Sequence, residues 1–139
     1  ALEPFRRPAQ VAALVLWYPA LRLPAAMRTR FGAPSAVPPT FTHRVDGRDI
    51  TLARRYALDI WGLDVDAELT RLRVPVLLVH GDRDADVPIT VSERAVRLLP
   101  DAVLERVPGA AHGFGDERFA DAMARTEAFL TWCQVLEED

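Results

Sequence analysis

The chain has 139 residues, 50% of them hydrophobic and 27% charged, a balance that fits one globular domain and excludes a disordered chain. All 17 cationic residues are Arg, and 20 acidic residues outweigh them to a net charge of -3, so no basic tract offers a footprint for nucleic acid. No stretch is long and apolar enough to span a bilayer, so no membrane partner is expected, and the expected compartment is the cytoplasm.

"RRPAQVAALVLW" (residues 6–17) places Arg6 and Arg7 before a short apolar run, in the manner of a secretion signal. A buried strand accounts for it better, because Val11–Tyr18 is apolar throughout and stops at Pro19, as a strand covered on both faces does. The chain opens without Met, and its start reads as a cut end. Residues 20–73 differ in character: Pro19, Pro24, Pro34, Pro38 and Pro39 crowd the first part, and no parallel-strand pattern returns before Val74, so an insertion is expected here. Within it, "FTHRVDGRDITL" puts Asp46 and Gly47 between two β-prone stretches, a hairpin signal because a type I′ turn needs positive φ at both central positions. His43 then lies on the hairpin, facing solvent. "LARRYALDIWG" predicts a helix with Leu52, Tyr56 and Ile60 on one stripe and Gly62 as its stop.

"VPVLLVHG" (residues 74–81) is a second buried strand, and Asp82, Asp84 and Asp86 follow it at alternate positions. These acids and Glu93 match positions of a calcium loop, but that loop needs Gly where Val87 stands, and a strand rather than a helix leads in. No metal is expected. His80, closing the strand, is expected to be a hydrogen-bonded structural residue. Thr90 and Glu93 are spaced as a capping box for a helix that Pro100 stops, with Val91, Ala95 and Leu98 on one face. In "AVLERVPG" (102–109) Val103, Glu105 and Val107 alternate with Leu104 and Arg106, which predicts a less buried strand nearer an edge. "GAAHGFG" (109–115) brings His112 among small residues, and its glycines lack dinucleotide-fingerprint spacing. The last helix is expected over Asp116–Leu136, with Phe119, Ala122, Met123, Thr126, Phe129, Leu130 and Cys133 inward. The single Cys133, next to Trp132 and near Leu136, reads as a buried, unreactive thiol.

Two parallel strands joined by a helical crossover end on the same rim of their sheet, about 5 Å apart if adjacent. The acid-bearing loop after residue 81 and the His112 loop after residue 107 therefore meet, at the rim where open α/β sheets keep their sites. Asp82 and Asp86 are near-site alternatives to Asp84. Trp17 and Tyr18 end the first strand on that rim, so they and Phe114 are candidate substrate-binding residues, with core packing as the competing use.

On these residues the chain resembles the α/β-hydrolases. "HGDRDADVP" is similar to their acid turn, with Asp84 at the acid position, and "GAAHGF" to their catalytic-histidine loop, with His112 as base; the order, acid before histidine with a helix and a strand between, is the family's. "VAALVLWYPA" resembles the strand that follows the nucleophile helix, and residues 20–73 occupy the place of the cap. The resemblance is closest to the cinnamoyl and feruloyl esterase branch, followed by lysophospholipase-like and dienelactone-hydrolase-like branches. It implies a partial α/β-hydrolase fold: 1–139 as the C-terminal part of one domain, with parallel strands, flanking helices and a hairpin-plus-helix cap at 20–73. The implied activity is that of a serine-type carboxylic ester hydrolase acting on small-molecule esters without a cofactor.

The family's G-x-S-x-G nucleophile turn does not occur in the sequence. Ser35 lies in "APSAV" and Ser92 inside the capped helix, and neither has the setting of a nucleophile. The expectation is therefore a piece of a longer hydrolase that supplies acid and base but not the nucleophile and is inactive alone. The open strand at 11–18 should lead to self-association or to pairing with the missing N-terminal half. The alternative is a non-catalytic binding or scaffold module with a hydrolase-like fold.

Overall fold

The computed structural model describes residues 11–45 and 47–135. In chain order the strands are β1 (Leu14–Trp17), β2 (Thr40–Val45), β3 (Arg48–Ala53), β4 (Val76–Gly81) and β5 (Ala102–Val107), and the helices are α1 (Leu23–Phe31), α2 (Arg54–Ile60), α3 (Val65–Arg71), α4 (Thr90–Leu98) and α5 (Gly115–Trp132). Two compact units separate: the described residues up to Pro19 together with those from Asp66 onward, and Ala20–Val65 between them.

The first unit is built on a parallel sheet in the order β1-β4-β5. All six residues of β4 are buried, which is what a run of Val and Leu without alternating polar residues predicts for a strand covered on both faces. Leu77 and Val79 point to the side covered by α5, where they form a core with Val107, Ala110, Phe114 and Ala122, joined by Val15, Trp17, Tyr18 and Phe129. Val76, Leu78 and His80 alternate to the other side, where His80 meets the buried Ser92 of α4. β5 is an edge strand with a broken burial pattern, as its mixed sequence predicts; Glu105 reaches Arg125 of α5, and Arg106 reaches Glu93 of α4 at 2.7 Å.

Several expectations for this unit change. β1 spans four residues, all half-buried, because β4 covers only one of its edges among the described residues; Arg6 and Arg7 lie outside the described residues. The capping box at Thr90 does not form: Ile89 is the N-cap, no side chain caps the helix, and Glu93 pairs with Arg106 instead. The last helix ends at Trp132, and Leu136 lies outside the described residues. Phe119 is 50% exposed rather than inward, though its ring meets Trp17 edge-on at 5.5 Å. Cys133 is half-buried, and burial, with a smaller contribution from Asp101, pushes its thiol above the ordinary range, which disfavours the thiolate.

In the second unit the hairpin forms as the Asp46-Gly47 signal requires, with Val45 opposite Arg48; Asp46 itself lies outside the described residues. His43 is half-buried rather than solvent-facing. One element here had no reading: α1 begins with Pro24 in its first turn, where a missing N–H costs nothing. Nor was α3 expected, whose residues from Asp66 on belong to the first unit and which opens with Asp66 and Glu68, favourably placed against the helix dipole. The stripe expected on α2 is rotated. Ala57 is the buried position, Tyr56 is exposed, and Leu52 belongs to β3. Ala57 packs with Met27, Val37 and Phe41, and Trp61 lies against them. Gly62 does not take the left-handed conformation of a glycine stop.

The rim of the sheet is held by one close approach. A Cβ on Gly81 would stand 2.2 Å from the Ala110 carbonyl oxygen, a backbone atom that no rotamer change can move aside. We expect Gly81→Ala to cost about 1–3 kcal/mol, the usual range for overpacking, read from urea unfolding of the two proteins; an unchanged midpoint would mean that the two loops are not packed this closely.

Candidate active site

The loop after β4 and the loop after β5 are tied to each other along their length. The Arg83 amide donates to the Ala110 carbonyl at 3.0 Å and the Asp82 amide to the Val107 carbonyl at 3.4 Å. Asp82 Oδ1 in turn accepts the Gly109 amide at 2.7 Å. Asp82 is thus a brace between the loops. With its carboxylate and that of Asp84 both accepting protein donors, two of the acids that matched the calcium pattern are already committed.

Asp84 and His112 come together. His112 Nδ1 stands 2.7 Å from Asp84 Oδ2, and because a carboxylate only accepts, the proton of the neutral ring lies on Nδ1. His112 Nε2 then carries a lone pair and has no hydrogen-bond partner among the described residues. The Asp84 side chain is 0% exposed and that of His112 17%. A buried carboxylate is costly unless every lone pair finds a donor, and here Oδ1 accepts the amides of Asp86 at 3.0 Å and Val87 at 2.8 Å.

His80, expected as a structural histidine, is bonded on both ring nitrogens: Nδ1 lies 2.6 Å from Ser92 Oγ and Nε2 2.8 Å from the Val87 carbonyl. Its Nε2 is also 3.3 Å from Asp84 Oδ2, a contact that sequence reading missed. The available signal was the alternation in β4, which sends His80 to the α4 side just before the acid turn. Ser92 is fully buried with its hydroxyl on this ring, and Ser35 is an exposed residue of the short Pro34–Ala36 turn in the other unit.

The three aromatic candidates divide. Tyr18 lies beside the site, its ring tilted 59° to that of His112 with the centroids 4.6 Å apart. Phe114 is buried behind it at 5.0 Å, and Trp17 packs edge-on against Phe114 while its indole N–H donates to Thr126 Oγ1 at 2.9 Å. Tyr18 and Phe114 both have positive φ, 36° and 64°, a conformation that costs an L-residue about 1–2 kcal/mol. Gly113 and Gly115 on either side of Phe114 share it, at 78° and 62°, so residues 113–115, "GFG", form a positive-φ run that only glycine enters readily. The Tyr18 strain has no signal in the sequence, since nothing about Tyr announces a positive φ.

A groove of about 360 Å³ lies elsewhere, lined by Val76 and Asp101 at the starts of β4 and β5 and by Phe129 and Trp132 of α5. It belongs to the opposite end of the strands. Among the described residues no helix is long and apolar enough to cross a membrane.

No protein-family profile matches the chain. Among curated proteins it is 39% identical over 51 residues to RutD of Caulobacter sp. (strain K31), a protein named for carbamate hydrolysis, a match covering 37% of this chain and 19% of that one. Among solved structures it is similar to Est1E of Butyrivibrio proteoclasticus, with 25% identity and a TM-score of 0.78 over 94% of this chain and 55% of Est1E; Est1E has also been solved with ferulic acid bound, where the TM-score is 0.77 at 26% identity. MGS-MChE2, an α/β-hydrolase enzyme from a sediment metagenome of the Mar Chica lagoon, Morocco, shares the fold at 18% identity and a TM-score of 0.62, with 94% of this chain and 54% of that one covered. The chain spans about half the length of these solved relatives. With its parallel sheet, its flanking helices and these neighbours, the chain has a partial α/β-hydrolase fold, similar to that of Est1E, a protein solved with ferulic acid bound.

Proposed function

We propose that the chain supplies the acid and the base of a Ser-Asp-His triad in a serine-type carboxylic ester hydrolase, Asp84 as the acid and His112 as the base. The observation that carries this reading is the 2.7 Å contact of His112 Nδ1 with a carboxylate oxygen that has no exposed surface, which points the basic Nε2 away from the acid. In that reaction Nε2 takes the proton of a serine hydroxyl as its oxygen attacks the ester carbonyl, then returns it to the departing alcohol; water repeats the two steps on the acyl-enzyme. Asp84 holds the tautomer and stabilises the imidazolium.

The serine is proposed to come from outside these residues. Among the described residues β1 pairs with β4 along one edge only, and a further parallel strand on its other edge would end at the same rim, near Tyr18. Tyr18 is the proposed wall of the acyl or alcohol pocket, with Phe114 and Trp17 supporting it from behind. An aryl ester is the proposed substrate class, on the likeness to Est1E.

Replacing Asp84 by Asn should reverse the base. With its carbonyl oxygen kept on the Asp86 and Val87 amides, the new NH₂ group faces His112 and donates to Nδ1, moving the ring proton to Nε2. Nitrogen chemical shifts of the His112 ring would report it, and an unchanged tautomer would mean that Asp84 does not set it. Tested on nitrophenyl and feruloyl esters, the chain alone should hydrolyse at background. Expressed with the coding sequence upstream of Ala1 it should be active, and His112→Ala should then lower turnover by about 10⁴-fold or more. Hydrolysis indifferent to that substitution removes the site assignment, and a longer protein with no hydrolysis favours the scaffold reading. In sedimentation the isolated chain should self-associate through the open edge of β1; a clean monomer at all concentrations would refute that contact.

A further inference from the structure

The Asp84 carboxylate lies between two imidazoles, and the second of them cannot touch a substrate. His80 is 0% exposed, so whatever it contributes passes through another group. Its bonding fixes its own state. The Val87 carbonyl accepts only, so His80 Nε2 carries a proton; the neutral ring then has a bare Nδ1, which receives the hydroxyl proton of Ser92. The Nε2–H so fixed faces two oxygens, the Val87 carbonyl at 2.8 Å and Asp84 Oδ2 at 3.3 Å. Val87 is also the residue whose own amide holds Asp84 Oδ1 at 2.8 Å. The hydrogen bond of Nε2 goes to the Val87 carbonyl, with Asp84 Oδ2 close beside it, so the ring restrains the acid through the peptide that grips Oδ1.

We infer that His80 is a positioning residue for the proposed triad, fixed as its Nε2–H tautomer by Ser92 and anchoring the Asp84 carboxylate against His112. The inference rests on the reading of Asp84 and His112 as acid and base, and it assigns to a buried histidine and a helix serine a task that neither performs by contact with substrate. Oδ2 accepts from His112 on one side and has His80 on the other; without His80 the Val87 peptide that holds Oδ1 loses the ring fixing its carbonyl, and the carboxylate gains room to turn about its Cβ–Cγ bond and carry Oδ2 off the His112 axis. A displacement of this kind near a reacting group is enough to cost about 10²-fold in rate.

A test that needs no catalysis uses nuclear magnetic resonance of the chain labelled with ¹⁵N in its histidines. In the wild type, His80 should be protonated on Nε2 alone and His112 on Nδ1, the latter giving a low-field, slowly exchanging proton. Two amide substitutions separate the nitrogens: His80→Asn reaches only as far as Nδ1 and keeps the Ser92 partner, whereas His80→Gln carries an NH₂ group to the place of Nε2. The His112 proton should be lost to exchange in H80N and retained in H80Q. A wild-type His80 protonated on Nδ1, a His112 signal unchanged in H80N, or equal loss in both variants would each overturn the inference, and the wild-type measurement stands even if a variant fails to fold. Absence of ester hydrolysis from the longer protein, with the H80N and H80Q difference intact, would remove the esterase reading and leave the placement of His80 untouched.

Discussion

The approach of the Ala110 carbonyl to the Cα of Gly81 sets the spacing of the two functional loops. Any larger residue at 81 would push the loop after β5 outward, and the bonds from Arg83 to Ala110 and from Gly109 to Asp82 would open with it. The sheet alone delivers only the coarse part of the geometry. Parallel neighbours in register, with Gly81 opposite Val107, bring the loops within one strand spacing, whereas the 2.7 Å between His112 and Asp84 requires that the loops be locked to each other over the next few residues.

Once the loops are locked, the buried carboxylate makes the arrangement cooperative. An ionised side chain with no exposed surface is tolerated only when its oxygens are fully engaged, and the donors reaching Asp84 come from its own turn and from the loop after β5. Loss of any one leaves a low-dielectric acceptor unsatisfied and raises the cost of the rest. Two backbone strains are held by the same packing. Tyr18 and Phe114 keep positive φ because their rings lock against each other, against Trp17 and against His112. Strain of about 1–2 kcal/mol per residue persists only where surroundings over-determine it, and here it aims one aromatic ring at the imidazole.

What was legible in the sequence followed from periodicity and topology. An unbroken apolar run fixed β4 as a central strand, its crossover to β5 made the partner parallel, and the positions of Asp84 and His112 past the two strand ends then left little freedom about where they meet. The Asp46-Gly47 hairpin was legible for the same reason, since a two-residue turn dictates register. Local signals that had to compete with tertiary partners were the ones that failed. Glu93 had a capping role open to it and took an Arg on β5, a charge-assisted bond of the stronger kind. The stripe on α2 slipped because Leu52 is still in β3, which starts the helix two residues later and turns Ala57 inward. The conformation of Tyr18 depends on loop geometry that no spacing rule encodes, and the approach of His80 to Asp84 was signalled only as far as the face of β4 on which His80 leaves.

The division of labour across β4 explains why two histidines can share one acid without competing for one role. Side chains alternate across a strand, so His80 at the end of β4 leaves on the α4 face, where Ser92 on Nδ1 and the Val87 carbonyl on Nε2 engage both ring nitrogens. His112 arrives from the loop beyond β5 and keeps partial exposure beside Tyr18. Burial decides which imidazole can exchange protons with an outside group: a ring bonded at both nitrogens has no lone pair to offer, while a ring bonded at Nδ1 alone presents Nε2. On the proposed reading, the position of that Nε2 is determined wholly within the first unit. A nucleophile brought by a strand added at β1 then needs to supply only its own placement, since the acid, its anchor and the base are already fixed against one another.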